Sequence, residues 1–151
     1  MPHPKPHSRY LRSGRWSGSG HVYLVTFTTW KRQRWLAEFL TARLVIQALN
    51  KARYAETLAF VVMPDHVHWL MSLHEGGLLS TEVQGVKSVS SHRLNSFLNR
   101  KGPIWQPGFH DHGLRNEESL PEVARYIVMN PVRAGLVRSC REYSHWDAIW
   151  I

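Results

Sequence analysis

Two short apolar runs joined by a two-residue link constrain the fold more than any other feature of the chain. They are Thr57–Met63 and His66–Leu73, and only Pro64-Asp65 stands between them. Both runs are rich in the β-branched and aromatic residues that favour strands, and so short a link joins neighbouring antiparallel strands. The sequence therefore predicts a β-hairpin, and any fold proposed for the chain has to contain it.

The segments on either side of the hairpin alternate between strand and helix patterns. Before it, an alternating β-branched and aromatic run predicts a strand over His21–Trp30, and apolar residues at helical spacing predict a helix over 38–55. After it, the patterns predict a second helix over Thr81–Asn99, a fourth strand over Ile104–Leu114 interrupted by Pro107-Gly108, and a third helix over Ser119–Met129. Asn130-Pro131 limits how far this last helix can extend.

The resulting order, β-α-β-β-α-β-α, predicts an α+β fold with one antiparallel sheet. A ferredoxin-like (RRM-like) arrangement accounts for this order with the fewest assumptions. The 151 residues are 43% apolar, which is enough for one core and one domain over residues 21–151. Residues 1–20 mix Pro, Gly and Ser with basic side chains, and we interpret them as a flexible basic arm.

The charge of the chain favours a polyanionic partner. Nineteen Lys and Arg residues against eleven Asp and Glu residues give a net charge of +8, and nucleic acid is the commonest partner of such proteins. The candidate DNA-binding residues are Arg9, Arg12, Arg15, Lys87, Arg93 and Arg133. A basic arm that is merely solvated is the alternative. Cys140 is the only cysteine and no apolar run is long enough for a membrane span, so we expect a cytoplasmic protein without a membrane partner.

His66 and His68 stand two positions apart in the second strand of the predicted hairpin. Side chains in a strand alternate between the two faces, so both imidazoles point to one face while Val67 and Trp69 point to the other. We expect helices to cover the apolar face and the imidazoles to lie on the open one. Two neutral imidazoles side by side can chelate a divalent cation, although the same spacing also occurs in histidines that bind no ligand.

Tyr126 and Asn130 are four residues apart in the third helical region, so their side chains share a face. Both residues also have a purely structural interpretation, as a packed aromatic and a helix-terminal residue. If this region lies against the open face of the sheet, Asn130 supplies an oxygen ligand beside the imidazoles and Tyr126 lies next to the metal. A phenol activated in this way suits nucleophilic attack on a phosphodiester.

Three separated motifs together carry a resemblance to a known family. The stretches MPDHVHWLM, WQPGFHDHGLR and ARYIVMNPVRAGLV, within residues 22–137, resemble the single-tyrosine HUH transposases of the IS200-like type, and most closely their REP-associated tyrosine transposases. The resemblance implies a ferredoxin-like catalytic domain, Mg²⁺ or Mn²⁺ held by His66 and His68, and Asn130 as the third ligand. It also implies that Tyr126 cuts single-stranded DNA and leaves a 5′-phosphotyrosine.

The resemblance further implies a substrate and a cellular setting. Family members act on short palindromic repeats that fold into hairpins, so the expected partner is hairpin DNA with a single-stranded flank, in the bacterial nucleoid. The choice between monomer and homodimer stays open, as do the roles of His110 and His112. Two other functions are considered: a non-catalytic hairpin-binding protein with an RRM-like sheet, and a metal phosphoesterase that uses water instead of tyrosine.

Overall fold

The computed structural model of the chain describes residues 21–115 and 119–150. Its strands are β1 (His21–Thr28), β2 (Ala55–Met63), β3 (His66–Leu73), β4 (His110–Gly113) and β5 (Trp146–Ala148). Its helices are α1 (Phe39–Asn50), α2 (Leu79–Leu98), α3 (Leu120–Val128) and the single turn α4 (Asn130–Arg133). Short 3₁₀ turns lie at Trp30–Arg32, Trp35–Ala37 and Cys140–Glu142. The predicted basic arm, residues 1–20, lies outside the described residues.

The strands form one antiparallel sheet in the order β4-β1-β3-β2-β5. The first four strands have the order of a ferredoxin-like sheet, so the predicted fold class is confirmed. The predicted hairpin is also confirmed, because β2 and β3 pair up to Met63 and His66 on either side of the Pro64-Asp65 link. The third helix begins and ends within a residue of its predicted bounds.

Each face of the sheet has its own apolar core. Phe27, Val67 and Trp69 point to the face that α1 and α2 cover, and all three are buried. Val61, Met63 and Leu70 point to the opposite face and pack with apolar residues of α3. The α3 helix lies mainly over β2 and β5. The second face is therefore covered by a helix at one side of the sheet and accessible at the other.

Three features of the sheet and its connections differ from the sequence prediction. The last strand, β5, was not predicted, because three residues are too few to show a periodicity. The predicted fourth strand is shorter, since only His110–Gly113 pairs regularly with β1 and Trp105 forms an isolated bridge with Thr29.

None of the helices in the described parts of the chain is long and apolar enough to cross a membrane.

The third difference concerns Asn130, which begins α4 instead of sharing a helix with Tyr126. Pro131 has no N–H, so it cannot make the helical hydrogen bond to the carbonyl oxygen of Ile127. The side-chain Nδ2 of Asn130 donates to that oxygen at 3.0 Å instead. The chain thus passes the proline with a local interruption, and α4 follows α3 after Met129 alone.

Candidate functional site

The two imidazoles predicted to share a face do share it, and their rings are in contact. The ring centroids of His66 and His68 are 4.9 Å apart at an interplanar angle of 84°. Both residues are half-buried and lie on the face of the sheet that α3 partly covers. The expectation of an entirely open face is therefore wrong, and the imidazoles stand beside a helix that carries Tyr126.

The Nδ1 atom of His66 is held by the neighbouring carboxylate. It lies 2.8 Å from Oδ1 of Asp65, whose other oxygen accepts a hydrogen bond from Nε of Arg32 at 3.0 Å. Burial acts to raise the pKa of Asp65, but the hydrogen bond and charge of His66 and the charge of Arg32 outweigh it and lower that pKa. An ionised carboxylate can only accept, so Nδ1 of His66 carries a proton, and Nε2 is the atom that offers a lone pair in the neutral form of the ring.

A strained turn places Arg32 on this carboxylate. Lys31 and Arg32 have φ angles of 53° and 56°, a left-handed conformation that costs a non-glycine residue roughly 1 kcal/mol or more. The backbone N–H of Thr29 donates to the carbonyl oxygen of Asp65 at 2.9 Å and ties this turn to the hairpin link. Arg32 therefore has a defined contact at the site.

The Nδ1 atom of His68 is held from the neighbouring strand. It lies 2.8 Å from Oγ1 of Thr26, which pairs with His68 across β1 and β3. Burial, the charge of His66 and the charge of Arg133 together lower the pKa of His68 to about 4. The imidazole of His68 is therefore neutral at physiological pH, which is the form that binds metals.

Tyr126 is exposed and in contact with a cation. The tyrosine is 63% exposed, the guanidinium carbon of Arg133 lies 3.8 Å from its ring centroid, and Nη2 of Arg133 donates to its carbonyl oxygen at 2.6 Å. The charge of the same guanidinium acts on His68. Arg133 thus contacts Tyr126 and also acts electrostatically on the imidazole of His68.

Asn130, the predicted third ligand, lies at the start of α4, directly after the tyrosine helix. The side-chain Nδ2 of Asn130 donates a hydrogen bond to the carbonyl oxygen of Ile127. Its Oδ1 accepts no hydrogen bond from residues 21–115 and 119–150. Those ranges contain no group of three or more His, Cys, Asp or Glu side chains placed to hold a metal. A cation bound to Nε2 of His66 and His68 would therefore complete its coordination with the Asn130 oxygen, water or a phosphate. The donor set fits a catalytic divalent ion that keeps open positions.

The predicted DNA-binding residues separate into three groups. Arg133 lies beside Tyr126, as described, whereas Arg9, Arg12 and Arg15 lie outside the described residues. Arg93 contacts Gln47 at 3.5 Å on the helical layer, across the sheet from the imidazoles. Lys87 is only 6% exposed and donates hydrogen bonds to two backbone carbonyl oxygens, so it is not available for the direct DNA contact that its charge suggested.

His110 and His112 follow the predicted alternation. They pair with Thr26 and Leu24 of β1, so both point to the face that carries His66 and His68. His110 stands in the same cross-strand row as His68, with Thr26 between them. The sequence analysis identified neither Thr26 nor Asp65 as a partner of the imidazoles. The position of Asp65 next to His66 could have indicated its role, whereas no local pattern distinguishes Thr26.

Comparisons with known proteins identify the relatives of the chain. The family model described as IS200-like transposase matches residues 18–130. A REP-associated tyrosine transposase of Escherichia coli K12 is 27% identical over 135 residues, or 89% of this chain and 76% of that protein. The structure of a REP-associated tyrosine transposase bound to a REP hairpin superposes with a TM-score of 0.70 at 27% identity, covering 87% of this chain and 79% of the other. A Deinococcus radiodurans protein with 23% identity and a TM-score of 0.56 shares the fold, over 76% of this chain and 93% of its own.

Proposed function

The chain belongs to the family of IS200-like transposases, and from that premise we propose that it is a metal-dependent single-stranded DNA endonuclease and strand transferase. Its substrate is a hairpin formed by a palindromic repeat, together with an unpaired flank, and its place of action is the bacterial nucleoid. The relative that was solved with a REP hairpin supports this choice of DNA. The net charge of +8 suits the same partner.

In the proposed reaction, the phenol oxygen of Tyr126 attacks a phosphorus atom of the DNA backbone. The bond from phosphorus to the 3′-oxygen breaks, and the phenol proton is lost while the departing oxygen gains one. The products are a 5′-phosphotyrosine and a free 3′-hydroxyl. Attack by a second 3′-hydroxyl on the phosphotyrosine reverses these steps and joins two strands.

The side chains around Tyr126 prepare this attack. Nε2 of His66 and His68, with Oδ1 of Asn130, would hold Mg²⁺ or Mn²⁺, and imidazole ligands favour Mn²⁺ of the two. A bound divalent ion would polarise the phosphate and favour the phenolate. Arg133 contacts the tyrosine ring and would add a positive charge near the phosphoryl oxygens, which carry the negative charge of the transition state.

One observation carries the proposal: the imidazole pair lies on the face of the sheet that carries the tyrosine helix, and the cation that contacts the exposed Tyr126 acts on His68. The test is to incubate the protein with labelled hairpin oligonucleotides from its own genome, with Mg²⁺ or Mn²⁺, and to search for a covalent adduct under denaturing conditions. We expect an adduct and a cleaved strand. Tight binding without either product would instead identify a non-catalytic hairpin-binding protein.

Asp65→Asn is expected to weaken Mn²⁺ binding about 10- to 100-fold, the usual effect of losing the outer partner of a ligating histidine. Asparagine keeps the size of the side chain but loses the charge that fixes the proton on Nδ1 of His66. Calorimetric titration of the DNA-free protein with MnCl₂ measures the effect. Asp111→Asn is the matched control, because Asp111 pairs with Val25 and so points to the opposite face. Equal affinities of the two variants would contradict the role of Asp65.

Deleting residues 1–16 is expected to weaken hairpin binding and to reduce its salt dependence. Each phosphate that a basic residue neutralises adds roughly 0.7 to the slope of log affinity against log salt for single strands, so three arginines contribute about two. Fluorescence anisotropy at several salt concentrations measures this slope. Replacing Arg9, Arg12 and Arg15 with glutamine in the full chain should give the same change. An unaltered slope in both variants would mean that the arm does not contact phosphates.

A further inference from the structure

The chain leaves the regular ladder between β1 and β4 at one place, over residues 106–109. Thr26 pairs with His110 and Thr29 bridges to Trp105, so two residues of β1 stand opposite four residues of the other strand. Residues 106–109 therefore contain two more residues than the facing part of β1, and the segment bows away from β1 around Pro107 and Gly108. Gly108 has a φ angle of +79°, which residues with a side chain rarely adopt.

The bowed segment encloses a cavity against β1. Its volume is about 230 Å³, and it lies between residues 26–28 of β1 and residues 106–110. We call it the bulge pocket. It is smaller than the roughly 300–1,000 Å³ typical of sites for drug-sized ligands, and so it suits one planar ring system and not a base pair.

Lys87 holds the bowed segment in place from the helical layer. Its ammonium donates to the carbonyl oxygens of Gln106 and Gly108 at 2.8 and 2.7 Å, and the residue is almost fully buried. Burying a cation is costly unless it is hydrogen-bonded, and both of these bonds go to the segment that forms the pocket. A further bond, from Nε1 of Trp105 to Oγ of Ser90 at 3.0 Å, secures the start of the segment to the same helix.

The bulge pocket lies next to the imidazole pair, on the side away from Tyr126. Thr26 lines the pocket and contacts Nδ1 of His68 at 2.8 Å. In the order β4-β1-β3-β2-β5, the pocket is at β4 and β1, the imidazoles are on β3, and the tyrosine helix covers β2 and β5. A DNA strand that runs across this face with its cleaved phosphate at the imidazoles therefore passes over the pocket.

The lining of the pocket suits an unpaired base. The side chains of Thr28, Gln106 and His110 have no hydrogen-bond partner within the described part of the chain. The half-buried ring of Phe109 packs against the core of the helical layer and closes the pocket from that side. Amide side chains pair with base edges. No lysine or arginine lines the pocket, whereas phosphate sites usually contain one.

We propose that the bulge pocket binds one unpaired base of the DNA flank close to the cleaved bond, and that Lys87 is a positioning residue that shapes this pocket. The inference rests on the proposed function, because a single-stranded flank is its source of unpaired bases. It reassigns Lys87 from a candidate DNA contact to a support for base recognition. The base is read through Gln106 and Thr28.

The test uses the full chain carrying Tyr126→Phe, without metal, so that binding is measured apart from cleavage. The probes are hairpin oligonucleotides with 2-aminopurine placed at one flank position at a time. We expect the fluorescence of the probe to change on binding at one position, and Gln106→Ala and Thr28→Val to remove that change. Discrimination between the preferred base and the others at that position should fall about tenfold.

Lys87→Met distinguishes base positioning from phosphate binding. It should reduce discrimination like Gln106→Ala while leaving the salt slope of binding unaltered, because Lys87 does not reach the DNA. Lys101→Met, at an exposed lysine, is the matched control for loss of charge and should leave discrimination intact. A shallower salt slope with unchanged discrimination in Lys87→Met, or normal discrimination in Gln106→Ala and Thr28→Val, would overturn the proposal.

The outcomes also separate this inference from the proposed function. A protein that forms the covalent adduct but responds at no flank position overturns the bulge pocket alone. A protein that shows the positional response but forms no adduct supports the pocket and overturns the catalytic function. Absence of any DNA binding overturns both.

Discussion

Replacing Tyr126 with phenylalanine is expected to abolish cleavage of hairpin DNA and the covalent protein–DNA product. The phenol oxygen is the attacking atom in the proposed reaction, and no other side chain of the described site offers a comparable nucleophile. Removing the nucleophile of a covalent mechanism lowers the rate by on the order of 10⁴-fold or more. Denaturing gel electrophoresis with labelled oligonucleotide measures both products.

The structure predicts that Tyr126→Phe is otherwise mild. The ring is 63% exposed and lies against the guanidinium of Arg133, a contact that phenylalanine can retain. Hairpin affinity and the free energy of unfolding should therefore stay close to those of the wild type. Because the hydroxyl is replaced by hydrogen alone, loss of activity with intact binding assigns the chemistry to the oxygen.

Tyr143→Phe is the matched control for removal of a phenol oxygen. Tyr143 donates to the carbonyl oxygen of Val62 at 2.6 Å, and burial raises the pKa of its hydroxyl to about 12 despite the charge of Arg34. This variant should lose about 1 kcal/mol of stability and keep its adduct. If Tyr126→Phe still cuts DNA at a substantial rate, water is the nucleophile and the protein is a metal phosphoesterase.

The second large effect is expected for His68→Ala, which should abolish cleavage at low metal concentration. His68 is neutral at physiological pH, and Nε2 is the ligating atom when Nδ1–H donates to Oγ1 of Thr26, so the ring can bind a cation without first losing a charge. Loss of a direct ligand should reduce metal affinity by more than the 10- to 100-fold typical of an outer partner. High concentrations of Mn²⁺ should restore part of the activity, because the other ligands remain.

Cleavage measured against Mn²⁺ concentration tests this prediction, together with calorimetric titration of the DNA-free protein. His92→Ala is the control, since His92 lies on α2 across the sheet from the site. His66→Ala should behave like His68→Ala and should in addition leave the ionised Asp65 without its imidazole partner. Normal cleavage by His68→Ala at low metal concentration would remove the imidazole pair from the proposed mechanism.

Local periodicity accounts for the parts of the fold that the sequence predicted. The hairpin followed from two apolar runs around Pro64-Asp65, and the shared face of His66 and His68 followed from strand alternation. These are properties of neighbouring residues, so no tertiary contact is needed to infer them. The short strand β5 had no such pattern, because its position depends on pairing with Ala59–Val61 of β2 and not on its own three residues.

Lys87 shows how a helical pattern can mislead. Its charge suggested an exposed position, because burying a cation without partners is unfavourable. The two carbonyl oxygens that bind it belong to a segment nineteen and twenty-one positions along the chain. No local feature of the sequence could indicate that these acceptors would be available.

From the sequence alone we could predict the order of the elements as far as α3, the pairing of the hairpin, and the candidate residues for metal binding and nucleophilic attack. Only the tertiary structure decided that α3 packs on the face of the imidazoles, that Thr26 and Asp65 hold their Nδ1 atoms, and that a pocket opens beside them. The physical reason is that side-chain direction repeats along each element, whereas register and helix docking depend on the joint burial of residues far apart in the chain.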